Sequence, residues 1–150
     1  MKHDISGQAS ISIHAQPDKV WSAITEPEEI KKYFFGTDTI TDWKVGHPIT
    51  FEGEWEGKKY KDKGTILAFE PGKMLRYSYW SSMSGIEDKP ENYVPITYEI
   101  DLDNSGTKVT ITQENIPSQE MKEHSLENWK KVLQGLKKVV EEENTTITGN

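Results

Sequence analysis

Apolar and polar residues alternate with a period of two along most of this chain, and the period lengthens in only two places. In ASISIHA, residues 9–15, Ala9, Ile11, Ile13 and Ala15 share one face and Ser10, Ser12 and His14 the other. That is the pattern of a half-buried strand. PDKVWSAIT follows, with Pro17 in a first helical turn and Val20, Trp21 and Ile24 at helical spacing. Thr25-Glu26-Pro27 interrupts it. PEEIKKYFF predicts a second short helix, with Ile30, Tyr33 and Phe34 inward and Gly36 as its C-terminal cap.

From there to residue 116 the period is two again. TDTITDW predicts a weak strand containing Ile40 and Trp43. ITFEGEWE places Ile49, Phe51, Gly53 and Trp55 on one face and Glu52, Glu54 and Glu56 on the other, and Gly57 marks a hairpin turn. YKDKGTILAFE follows, with Gly64 at a bulge or close approach. KMLRYSYWS puts Leu75, Tyr77 and Tyr79 on one face and Arg76 and Trp80 on the other. SSMSGIEDKPEN is polar and irregular, a surface loop. YVPITYEIDL turns Val94, Ile96, Tyr98, Ile100 and Leu102 inward, and TKVTITQEN does the same with Val109, Ile111 and Gln113.

The second change of period is at the C-terminal end. Ser118 is an N-cap, and Leu126, Trp129, Val132, Leu133, Leu136, Val139 and Val140 form the apolar face of a helix over MKEHSLENWKKVLQGLKKVVEE. Gly135 in its middle costs about 1 kcal/mol relative to Ala and would let the helix approach the sheet closely. NTTITGN predicts a frayed tail. The order is thus one strand, two short helices, about six antiparallel strands and one long helix. The fold class is α+β, a single domain over 1–150 with its core at about 5–142. A curved sheet cannot touch a straight helix along its whole length, so a gap between them is expected.

With 150 residues the chain buries roughly 70% of its unfolded surface. The net charge of −7 disfavours nucleic acid and anionic membranes as partners. The sequence has no cysteine, which excludes disulfides and thiolate chemistry. No apolar run approaches a membrane span, and a cytoplasmic location is expected. KKYKDK is the densest basic run and reads as a solvated hairpin edge guarded by lysines. Neither HExxH, GxSxG, a P-loop nor GxGxxG occurs, and no metal or cofactor is expected.

Five Trp, six Tyr and four Phe are the stronger chemical signal. Phe51 and Trp55, Tyr77 and Tyr79, Tyr98 and, on the helix, Trp129 all fall on the inner side. They are ordinary core, or they line a hollow; tyrosine suits the second role because its ring is apolar and its hydroxyl needs a partner. Phe35, beside Gly36, would gate such a hollow, with Trp43, Gln113 and His124 completing its lining. His124 either points to the cavity mouth as an acid–base group or ligand anchor, or lies on the helix surface beside Glu123 and Glu127. An outward Trp80 and Phe69 would mark a homodimer surface.

VWSAITEPEEIKKYFFG resembles the helix pair of the START-like, or SRPBCC, superfamily. WKVGHPITFEG, KGTILAFEPGKMLRYSYW and VTITQENIPSQEMKEHSLENWKKVLQGLKKVVE together resemble its branch of activator-of-heat-shock-protein-ATPase homologues, from about residue 9 to residue 141. The resemblance implies a helix-grip fold: seven antiparallel strands around a long C-terminal helix, with an elongated cavity between. It implies a superfamily whose members bind lipids, hormones or polyketides, a few of them catalysing conversions. The expected function is non-catalytic binding of a small hydrophobic or aromatic molecule or lipid. Two alternatives stay open: a chaperone-associated stress-response protein, and a cyclase- or hydrolase-type enzyme with an acid–base residue in the cavity.

Overall fold

The computed structural model describes residues 3–82, 85–104 and 106–148. The order is β1 (Ile5–Ile13), α1 (Pro17–Thr25), α2 (Pro27–Tyr33), β2 (Asp38–Ile40), β3 (Pro48–Trp55), β4 (Lys58–Glu70), β5 (Met74–Tyr79), β6 (Val94–Asp103), β7 (Gly106–Ile116) and α3 (Gln119–Thr148), with a short 3₁₀ turn at Pro90–Asn92. All seven strands form one antiparallel, curved sheet in the order β1-β7-β6-β5-β4-β3-β2. Helix α3 lies over β1 and β7 and against α2, and α1 and α2 close the rest of one end. This is the helix-grip arrangement.

Local chemistry accounts for the elements. Pro17 and Pro27 each open a helix, where the missing N–H costs nothing. Glu56 and Gly57 both have positive φ, 49° and 80°, and form the two-residue turn between β3 and β4. Across that hairpin Glu52 faces Lys61 and Glu54 faces Lys59, so the outer charges alternate in sign. Ser118 Oγ accepts the Met121 N–H at 3.2 Å and caps α3.

Leu102 departs from the expected alternation, and the structure assigns faces to Ile40 and Phe69. In β2 the inward residue is Thr39, while Ile40 is 54% exposed. Leu102 is 75% exposed at the far end of β6, close to the hairpin into β7. Phe69, which would mark a dimer surface if it faced outward, packs against Trp21 and Trp43 at ring distances of 5.5 and 5.9 Å. A register shift between Ile66 and Ala68 inverts the faces of β4 there. Trp80 is half-buried; its indole N–H donates to the Ile86 carbonyl at 3.0 Å, and Lys63 lies over its ring.

Gly135 does permit a close approach, but to α2. A Cβ there would lie 3.0 Å from Cβ of Tyr33. Gly64 sits against the Ser78 carbonyl, where a Cβ would fall at 1.6 Å, so only glycine lets β4 and β5 meet. Helix α3 continues past Glu142 to Thr148; no Gly or Pro intervenes to stop it before Gly149. Burial pushes the Glu141 carboxyl up, but the His14 N–H and the Lys137 ammonium outweigh that and hold it below the ordinary carboxylate value. The His14 N–H on Glu141 and the Lys137 ammonium on the Ser12 carbonyl, at 3.0 Å, tie α3 to the end of β1. Among the described residues no helix is long and apolar enough to cross a membrane.

Candidate functional site

The inner face of the sheet has two ends of different character. At one end α1 and α2 press Ile24, Ile30, Tyr33 and Phe34 onto Phe51, Leu75, Tyr77 and Tyr98, leaving only about 20 Å³ of space. The rings of Phe51 and Tyr77 are 5.5 Å apart and those of Tyr77 and Tyr98 6.1 Å. Tyr33 Oη donates to the Ala23 carbonyl at 2.7 Å and the Tyr77 and Tyr98 phenols neighbour each other, whereas the buried Thr39 hydroxyl at this end has no partner among the described residues. Burial pushes the Tyr77 and Tyr33 phenols well above their ordinary 10.0, and pushes Tyr98 up to about 12 against the opposing Tyr77 bond.

At the other end the helix and sheet separate. A hollow of about 590 Å³ opens between Phe34, Tyr60, Asp62 and Tyr79 on one side and Asn128, Trp129 and Val132 of α3 on the other. Trp129 Nε1 donates to Gln113 Oε1 at 2.8 Å, which pins the helix to β7 at the hollow's edge. Beyond Gln113, Tyr79 and Ser81 a second hollow of about 600 Å³ runs toward His3, Asn92 and His124. The two share Tyr79, Ser81, Gln113, Ser125 and Asn128 as walls.

Asp62 is the unusual group. It is only 6% exposed. Its Oδ2 accepts from Tyr79 Oη at 2.6 Å, and its Oδ1 accepts from the Ser82 N–H at 2.9 Å and Ser82 Oγ at 3.2 Å. Burial, then the charge and hydrogen bond of Asp62, push the Tyr79 phenol far above its ordinary value. Tyr79 therefore stays a donor. Beside it the Tyr60 ring lies over Gly53, where a Cβ would come within 2.4 Å of the phenol oxygen. That placement lets Tyr60 Oη reach buried Thr37 at 2.5 Å.

Of the residues anticipated from the sequence, Phe35, Tyr79, Gln113 and Trp129 come together around the first hollow. Phe35 is 55% exposed and has a φ of 54°, so its ring stands at the rim. Phe51, Tyr77 and Tyr98 lie in the filled end, and Trp43 lies at its margin against Phe69. His124 is exposed on α3 and borders the second hollow, not the first. The backbone of Trp55 ends β3, and its side chain lies outside the described residues. Sequence reasoning missed Asp62, Tyr60 and Thr37. The signal was present in KKYKDKG: Lys59, Lys61 and Lys63 alternate with Tyr60, Asp62 and Gly64, so a strand with lysines outside must turn Asp62 inside.

A family model described as Activator of Hsp90 ATPase homolog 1-like protein matches residues 14–141. Among solved structures, the chain is similar to ChR145 from Cytophaga hutchinsonii, with 41% identity and a TM-score of 0.81 over 97% of this chain and 99% of that one. MLL2253 from Mesorhizobium loti is 19% identical, with a TM-score of 0.75 over 92% and 98% of the two chains. The Aha1 dimer from Colwellia psychrerythraea is 20% identical, with a TM-score of 0.69 over 91% and 96%. No curated protein matches the chain.

Proposed function

The chain belongs to the Activator of Hsp90 ATPase homolog 1-like family, and from that premise we propose that it binds a small, mostly hydrophobic molecule between sheet and α3 without changing it chemically. One observation carries this reading: the hollow of about 590 Å³ bordered by Phe34, Tyr79 and Trp129. Its volume falls in the range of small-molecule sites, roughly 300–1,000 Å³. Its lining combines the aromatic walls of Phe34, Phe35, Tyr60, Tyr79 and Trp129 with polar side chains. Four of its polar groups are engaged in pairs, Tyr79 with Asp62 and Trp129 with Gln113. That favours holding a guest over turning it over. Phe35 at the rim serves as the gate.

The test is native mass spectrometry of the protein purified without added ligand, together with melting temperatures against lipids, flavonoids and sterols. A co-purifying mass or a concentration-dependent rise in melting temperature is expected, because a ligand that binds only the folded state stabilises it by mass action. A flat response across the panel overturns the reading. Altered ATP turnover by a chaperone, with no ligand stabilisation, would favour a surface role instead. The same spectrum gives the subunit number and so tests the homodimer expectation.

A further inference from the structure

We infer that the guest of this hollow carries a protonated amine, held against Asp62 with its apolar body among Tyr60, Tyr79 and Trp129. The inference rests on the binding reading above and specifies its ligand class. Asp62 is a carboxylate buried to 6% exposure on the wall of the hollow. A carboxylate offers about four lone-pair positions, and the described donors, Tyr79 Oη, the Ser82 N–H and Ser82 Oγ, fill three of them. Two of the three converge on Oδ1, so the open position is on Oδ2, beside the Tyr79 hydroxyl.

Charge decides what suits that position. Among the described residues no ion pair neutralises Asp62. The lysines of its own strand are turned to the opposite face, where Lys61 and Lys59 oppose Glu52 and Glu54 and Lys63 pairs with Asp88 at 2.6 Å. Lys131 is the one basic residue on the lining, and it is exposed on α3, beyond ion-pair distance of Asp62. A buried charge that lacks a counter-charge is costly, and a guest that supplies one recovers part of that cost. Aromatic faces around the same space also attract a cation. No group of three or more His, Cys, Asp or Glu able to hold a metal lies among the described residues, so a cationic head group fits this wall better than a metal ion. The chain's net charge of −7 favours the approach of cations over anions.

The test uses three probes of one shape: phenylbutylamine, phenylbutanol and phenylbutyrate, titrated calorimetrically into the intact protein. The amine is expected to bind at least about ten-fold more tightly than the alcohol, a difference of roughly 1.4 kcal/mol, with the carboxylate weakest. Asp62→Asn keeps the shape and should bring the amine to the alcohol's level. If the alcohol or the carboxylate matches the amine on the wild-type protein while the hydrophobic panel still binds, the amine assignment falls and the cavity reading stands. If neither the three probes nor the panel binds, both fall. The wild-type ranking decides the matter even where Asp62→Asn does not fold.

Discussion

Tyr77 and Tyr79 are two residues apart on one face of β5, and they live in different environments. Tyr77 is 3% exposed in the filled end, with its phenol beside that of Tyr98. Tyr79 is half-buried on the wall of the hollow, with its hydroxyl on Asp62. The residue type and the strand are the same; what differs is the cover. The short helices α1 and α2 bring Ile24, Ile30 and Tyr33 down onto the first position and do not reach the second. A curved sheet under a straight helix therefore yields one dry core and one open space, and the boundary falls within a single tyrosine pair.

The largest effect expected on either side of that boundary is in the dry end. Phe51→Ala should cost about 3–5 kcal/mol in urea unfolding, since it removes a ring packed on Phe34, Tyr77 and Tyr79 where nothing can move in. A loss below about 1 kcal/mol would show that this end is not filled. Next comes alkaline pH. Tyr98 is pushed from 10.0 to about 12 in the folded protein. The unfolded chain releases its phenol protons near pH 10 while the folded chain keeps them, so stability is complete below pH 10 and falls as pH rises toward 12. Tyr98 alone accounts for roughly 3 kcal/mol over that window. Tyr33 and Tyr77, raised by burial, add in the same direction. Chemical denaturation at pH 8, about 10 and about 11.5 measures this loss, and a level profile would contradict the burial of these hydroxyls.

The fold was legible because most strands alternate cleanly and the long helix shows a broad apolar face. The exceptions have local causes that alternation cannot express. Phe69 packs inward because of the register shift at Ile66–Ala68, and Thr39 took the inward position that Ile40 seemed fitter to hold. In both places the decision lies in cross-strand pairing, which a one-dimensional pattern omits. The site was legible to a lesser degree. Alternation identified which aromatics face inward, but not which of them α1 and α2 would cover, and so did not separate Tyr77 from Tyr79. Asp62 was readable in principle. Its lysine neighbours drew attention to the outer face of β4 and away from the inner one. Tyr60 over Gly53 required the β3–β4 register, in which the two residues are opposite each other.

A pair of small changes sharpens the comparison. Tyr77→Phe removes a buried hydroxyl beside a space of about 20 Å³. That space is lined mostly by apolar side chains, so a water there finds too few partners to replace the lost hydroxyl, and a cost of about 1–3 kcal/mol is expected. Tyr79→Phe removes one of three donors from Asp62, but the hollow admits water to replace it, so about 1 kcal/mol or less is expected. Urea midpoints of the two variants, measured together, decide the order. Equal losses, or a larger one for Tyr79, would mean that the hollow is as dry as the core.

The smallest stability change is expected at the rim. Phe35 is 55% exposed, so Phe35→Ala removes little buried surface and should alter stability by no more than about 0.5 kcal/mol. Its φ of 54° strains Ala as it strains Phe, which leaves the backbone term nearly unchanged. The ring nevertheless belongs to the lining of the hollow. Stopped-flow displacement of whichever panel compound raises the melting temperature should show faster dissociation in Phe35→Ala than in the wild type, with the urea midpoint unmoved. That split distinguishes a gate from a packing residue, because a packing residue loses stability and affinity together. An unchanged dissociation rate would remove Phe35 from the site and leave the hollow permanently open.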